Sequence, residues 1–283
     1  MSTYILTASQ AAIEMIAGSY TKITPPVLKK FLSQTLELNR QEIKTVIKNL
    51  VTSQEITYTY EYGTTFLEIS FNKPVCISDR ITLSPPECAF KPRPGEVVVK
   101  IRPGASFGAG QHPTTRLALR GLDFALQNQK HLLHEINADL LDIGTGSGVL
   151  AIAGVKLGIK KALGIDIDPC ARFEARVNVS LNMLADAVEI GDLALENITQ
   201  YYDVITANLR FPTLMRLCAK LFEITSDNGF IVLSGVKTDE IDTLLDAYQA
   251  KGFVCIWKEN SKDWVGAVFQ KVCYGIDNIN PFV

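Results

Sequence analysis

The chain has 283 residues, 47% of them hydrophobic and 20% charged, which is enough apolar material for a large core and a second, smaller domain. A net charge of −2 excludes a wholesale polyanion binder, and no basic segment followed by an apolar one, nor any apolar run of bilayer-spanning length, directs the chain to a membrane or out of the cytoplasm. The six cysteines (Cys76, Cys88, Cys170, Cys218, Cys255, Cys273) lie apart without a Cys-x-x-Cys pair, so neither a metal site nor a disulfide framework is expected.

Residues Ala8–Ala17, Pro25–Gln34 and Asn39–Val51 read as three short helices, the second started by Pro25 and Pro26 and the third capped by Asn39. Strands Glu55–Tyr60 and Thr65–Phe71 follow, turned by Tyr62-Gly63-Thr64, and this order resembles a winged helix-turn-helix over residues 1–72. Its third helix, within residues 39–51, would enter a DNA groove carrying Arg40, Lys44 and Lys48. Yet residues 1–72 hold six basic and six acidic side chains, whereas DNA readers depend on excess positive charge for phosphate contact. Protein contact or homodimerisation is therefore the favoured use of this domain.

Residues 73–104 are rich in proline and read as a linker with short edge strands, including Val97–Ile101, because proline cannot donate in a ladder. The glycine-rich stretch Pro103–Thr115 then runs into a helix, Thr114–Gln127. His112 falls within it and His131 and His134 in a separate polar stretch, a spacing that forms no metal site, so a loop-ordering hydrogen bond is expected of His112.

The most informative stretch is Leu140-Leu-Asp-Ile-Gly-Thr-Gly-Ser-Gly-Val-Leu150, a strand, a turn of three alternate glycines and a helix start. A second strand, Ala162–Ile165, ends in Asp166, the place for a carboxylate that binds ribose hydroxyls. Val149 stands where a dinucleotide fingerprint has its third glycine. The pattern Gly144-x-Gly146-x-Gly148 after Asp142 is instead similar to that of S-adenosylmethionine-dependent methyltransferases. With that ligand, Asp142 is placed for the ammonium group and Asp166 for the ribose.

Helix Pro169–Met183 leads to strands Ala187–Ile190, Tyr202–Asn208 and Phe230–Ser234, and helix Asp239–Ala250 follows. Asp192 and Asn208 stand at strand ends, where open α/β sheets bind ligands, Asp192 at the place for adenine. Phe253–Trp257 and Trp264–Gln270 form a terminal hairpin expected to supply an antiparallel edge strand, and residues 273–283 a tail.

Five ordered motifs, Phe107-Gly-x-Gly-x-His-Pro-Thr-Thr115, Leu141-Asp-Ile-Gly-x-Gly-Ser-Gly-Val-Leu-Ala-Ile-Ala153, Gly164-Ile-Asp-Ile-Asp-Pro169, Ala207-Asn208-Leu209 and Leu233-Ser-Gly-Val236, resemble the catalytic domain of the PrmA family. That family contains the lysine and α-amine methyltransferase of a large-subunit ribosomal protein. The resemblance covers about residues 80–270. It implies an α/β fold, a seven-stranded Rossmann-like sheet with the last strand antiparallel, in a methyltransferase domain placed at residues 105–272. It also implies that Thr115, Gly144, Asp166 and Asn208 line an S-adenosylmethionine pocket.

Two departures bear on the acceptor. The winged-helix-like start replaces the family's ferredoxin-like substrate domain, and the family's Asn-Ile-Leu-Ala-x-Pro-Leu reads Asn208-Leu-Arg-Phe-Pro-Thr-Leu214, which puts Arg210 and Phe211 at the lip of the acceptor pocket. The Asn/Asp-Pro-Pro-Tyr/Phe motif of adenine and glutamine methyltransferases is absent there. The expected activity is methylation of a protein amine, with a ribosomal protein among the candidate substrates and Asn208 as a site residue of unsettled role. Methylation of a small molecule, and a DNA-tethered sensor of S-adenosylmethionine without turnover, are the alternatives.

Overall fold

The computed structural model describes residues 3–19, 21–61, 63–102, 104, 106–108, 110, 112–127 and 138–272. The chain divides into two compact units, Met1–Val75 and Cys76–Val283. Tyr62, His131, His134, Cys273 and the tail over residues 273–283 lie outside the described residues.

In the first unit α1 (Thr3–Gly18), α2 (Pro25–Leu36) and α3 (Arg40–Thr52) precede the hairpin β1 (Ile56–Glu61) and β2 (Thr64–Ile69). Asn39 starts α3 with a reciprocal cap: its side-chain oxygen accepts from Gln41 and Glu42 N–H, and Glu42 returns a carboxylate to Asn39 N–H at 2.8 Å. The cap sets the helix phase so that Ile43, Val46, Ile47 and Leu50 face inward. They join Leu28, Leu32, Ile56 and Leu67 in a core that belongs to this unit alone.

The proline-rich stretch contributes a small sheet of its own, β3 (Val75–Cys76), β4 (Ile81–Ser84) and β5 (Val97–Lys100), rather than an edge of the main sheet. β4 and β5 run parallel, and Glu96 ties them by accepting from the Thr82 hydroxyl at 2.5 Å and from Arg93 N–H at 2.8 Å.

The main sheet is built from β6 (Asp139–Ile143), β7 (Lys161–Ile165), β8 (Val188–Gly191), β9 (Tyr202–Asn208), β10 (Thr225–Lys237), β11 (Phe253–Ser261) and β12 (Trp264–Lys271). Its helices are α4 (Pro113–Gln127), α5 (Val149–Lys156), α6 (Pro169–Leu181), α7 (Phe211–Ile224) and α8 (Ile241–Ala250). The strand order is β11-β12-β10-β9-β6-β7-β8, with β12 antiparallel to both neighbours. The chain leaves β6 toward β7 and β8, then returns to the other side of β6 as β9. That reversal opens a crevice at the carboxyl ends of β6 and β9, the usual ligand site of such sheets.

The terminal hairpin differs from the expectation in one respect. The antiparallel strand β12 lies inside the sheet, between β10 and β11, and the edge strand is β11. Burial explains the exchange. β12 is buried from Val265 through Phe269 on both faces, whereas β11 exposes Val254, Cys255 and Ile256 and carries Lys258, Glu259 and Asn260. A strand apolar on both faces belongs in the interior and a partly polar one at the rim.

Candidate active site

β6 delivers the chain into Gly144–Gly148, and two backbone bonds fasten the start of that loop to the neighbouring strand. Gly144 and Thr145 N–H both donate to Ile165 O, at 2.8 and 3.0 Å. Gly148 then caps α5, donating to Thr145 O at 2.8 Å. Gly146 has φ +54°, and a Cβ there would strike the Phe107 carbonyl oxygen. Ser147 N–H donates to that same oxygen at 2.9 Å, so the stretch beginning at Phe107 lies directly on the glycine loop. Glycine is required at 146 by both conformation and contact.

Two carboxylates brace this loop from different sides. Asp142 is fully buried, and its oxygens accept from the Thr145 hydroxyl at 2.6 Å and the Thr206 hydroxyl at 2.7 Å. Burial pushes its pKa up to about 6, against the lowering effect of those hydroxyls and of the Ala151 N–H. Its place is beneath the loop, bridging β6 and β9, with no surface open to solvent. Asp166, half-buried at the end of β7, accepts from Gly146 N–H at 2.9 Å through one oxygen and from Asp168 N–H at 2.9 Å through the other. Asp192, at the end of β8, is exposed and faces the Arg172 guanidinium at 3.7 Å.

Arg172 is a residue the sequence reading passed over. It sits in the first turn of α6, where a helix macrodipole favours acids rather than bases. Its guanidinium donates to the backbone oxygens of Asp166 at 2.8 Å and Ile167 at 3.0 Å, and so joins the ends of β7 and β8. The misplaced charge was the available signal.

The stretch 107–115 closes the other side. His112 Nδ1 pairs with the Thr114 hydroxyl at 2.8 Å and accepts from Thr114 N–H at 3.3 Å, the loop-ordering role expected of it. Burial, then the positive charge of Lys262, lowers the pKa of its imidazole. Its ring lies between Phe107 and Trp264, with centroids 5.2 and 5.1 Å away. Ser234 on β10 donates to Thr114 O at 3.0 Å, and Leu209 N–H, one residue past Asn208, donates to Ser234 O at 3.0 Å. β10 shifts register between Ser234 and Val236, and Gly235 there has φ +92° with no room for a Cβ beside Leu209 O. All five sequence motifs are thus stitched to one another at the carboxyl edge of the sheet.

The half-buried Asn208 ends β9 beside Ser234. Arg210 is exposed and precedes α7, while Phe211 is partly buried and packs on the core beneath that helix. Thr115 Oγ1 and Ser147 Oγ are buried and have no hydrogen-bond partner among the described residues, as is true also of Thr59 Oγ1 and Ser78 Oγ elsewhere in the chain. Ser147 lies against Gly108, where a Cβ would stand 2.7 Å from its hydroxyl, and Thr115 is at the helical end of the same stretch. Buried hydroxyls are rarely left unsatisfied without reason, and a polar ligand supplies one.

The sheet order, the reversal between β6 and β9 and the glycine loop define a Rossmann-like methyltransferase fold. A family model described as "Ribosomal protein L11 methyltransferase (PrmA)" matches residues 36–272, and the chain belongs to that family. It is 35% identical over 195 residues to the ribosomal protein L11 methyltransferase of Geotalea daltonii, covering 68% of this chain and 62% of that protein. To the protein of the same name from Bacillus velezensis it is 28% identical over 253 residues, covering 86% and 78%. Among solved structures, ribosomal protein L11 methylase from Lactobacillus delbrueckii subsp. bulgaricus superposes with a TM-score of 0.63 at 25% identity, covering 71% of this chain and all of that one. The matched region spans about 62% of the length of several of these curated relatives. Among the described residues no helix is long and apolar enough to cross a membrane.

Proposed function

We propose that this protein is an S-adenosylmethionine-dependent methyltransferase whose acceptor is a protein amine, with a ribosomal protein as the leading substrate. The observation that carries the reading is the glycine loop at the crevice between β6 and β9, with the Asp166 carboxylate braced on Gly146 N–H beside it. Bound there, S-adenosylmethionine would supply a methyl group on a sulfonium, a leaving group that needs no acid assistance.

The chain's own residues have three tasks. The loop 144–148 offers backbone close enough for the ligand to lie on, and Asp166 offers carboxylate oxygens to ribose hydroxyls. Thr115 and Ser147 offer hydroxyls to the amino-acid end, which carries both charges of that end. Asp142, its oxygens taken by the Thr145 and Thr206 hydroxyls, holds the loop from below. Alignment and exclusion of water dominate an in-line displacement, so the rigid stitching of 107–115 to the sheet edge is itself part of catalysis. On this reading the Asn208 carbonyl would orient an incoming amine and the exposed Arg210 would stand at the lip, while Phe211, expected beside it, packs on the core beneath α7.

Residues 1–72 are assigned to substrate protein contact or self-association as a winged-helix-like module. The test is transfer of tritiated methyl from S-adenosylmethionine into a lysate of the source organism, with counts separated into protein, nucleic acid and small-molecule fractions. Counts in the protein fraction are expected; counts confined to either other fraction would overturn the assignment.

A further inference from the structure

Glu174, Asn178 and Asn182 stand at four-residue intervals along α6, and therefore on one helical face. Opposite them runs the chain leaving β5. Asn182 accepts from Lys100 N–H at 2.9 Å and donates to Lys100 O at 2.7 Å; Asn178 accepts from Arg102 N–H at 3.0 Å; Glu174 accepts from Ser106 N–H at 3.0 Å. The match has a simple geometric basis. Four helical residues rise about 6 Å and two extended residues span about 6.6 Å, which fits Asn182 and Asn178 to the amides of Lys100 and Arg102, two residues apart; Glu174 takes the Ser106 amide four residues further on, where the chain is no longer matched residue for residue. That segment leads straight into Phe107, whose carbonyl rests on the glycine loop.

Asn178 does more than its two neighbours. It is 1% exposed, and while its carbonyl oxygen takes the Arg102 amide, its NH₂ donates to Ser147 O at 2.9 Å. One buried carboxamide therefore bonds to both loops, the 100–110 segment on one side and the glycine loop on the other. Aspartate in its place would present a second acceptor to a carbonyl, and alanine would leave one donor and one acceptor buried without partners.

We propose that Asn178 is a positioning residue for methyl transfer, coupling the glycine loop to the segment that closes over it. The inference rests on the methyltransferase reading above. It is tested on the full chain by hydrogen exchange and by calorimetric binding of S-adenosylhomocysteine, alongside kinetics. N178A is expected to speed exchange at the Arg102 amide and to weaken S-adenosylhomocysteine binding about tenfold, the scale of one buried hydrogen bond. N178D keeps the acceptor for Arg102 but loses the donor to Ser147, so it should retain slow exchange at Arg102 and still lose the affinity. E174A, which removes the acceptor of the Ser106 amide, should speed exchange there and lower kcat without changing S-adenosylhomocysteine affinity.

If N178A does not fold, N178D and E174A decide the matter by the same readouts. Unchanged affinity and kcat in N178D, with E174A also at wild-type kcat, would overturn the inference and leave Asn178 a packing residue. Failure of the wild-type chain to bind S-adenosylhomocysteine would instead overturn the methyltransferase reading, and this inference with it.

Discussion

Asp142 is the residue whose environment has the plainest consequence. Its carboxyl is held at about 6 chiefly by burial, with the Asp166 charge adding to the shift and the Thr145 and Thr206 hydroxyls opposing it. The folded protein therefore keeps this proton over a range where the unfolded chain has released it. Stability from this group is greatest below the ordinary carboxylate range, falls as pH rises toward about 6, and is level above. D142N should abolish that slope and gain on the order of 3 kcal/mol relative to wild type between acid and neutral pH. Urea unfolding at a series of pH values reads this directly, and parallel curves for the two proteins would refute it. Asp166 makes the opposite kind of prediction, because its oxygens already hold Gly146 and Asp168 N–H. D166A removes both that brace and the ribose partner, and calorimetry should show S-adenosylhomocysteine affinity lower by about ten- to a hundredfold, the worth of charge-assisted hydrogen bonds. Normal binding by that variant would mean the pocket lies elsewhere.

At the scale of elements, the glycine loop and the stretch beginning at Phe107 behave as one unit, because Gly146 and Ser147 both meet the Phe107 carbonyl. G146A should cost about 1–3 kcal/mol of stability, from a side chain at positive φ and the displaced carbonyl, and should weaken cofactor binding as well. Thermal unfolding with and without S-adenosylhomocysteine separates the two effects; a variant matching wild type in both would show that the contact is dispensable. This pairing also shows what a sequence records. The loop 144–148, Asp166 and Asn208 were legible because strand, turn and helix succeed one another within a few residues and their glycines answer to local geometry. Arg172, Ser147 and Asn178 were not, because their partners are chosen by packing: Asn178 meets Arg102 across 76 residues and Ser147 across 31. The interior position of β12 was hidden for the same reason, although its apolar run on both faces, beside the more polar β11, carried a hint.

At the scale of the whole molecule, two cores serve two tasks. The larger unit contains the glycine loop, the braced carboxylates and the stretch 107–115, and the first unit has a core of its own. Its third helix sends Arg40, Lys44 and Lys48 outward while burying Ile43, Val46, Ile47 and Leu50. The most direct test of the central claim is mass spectrometry of purified ribosomal protein L11 after incubation with the full chain and S-adenosylmethionine bearing a deuterated methyl group. The account predicts a mass increase in labelled-methyl steps, located on lysine side chains or the terminal amine and lost with D166A. An unchanged mass, from a chain shown to bind S-adenosylhomocysteine, would contradict it.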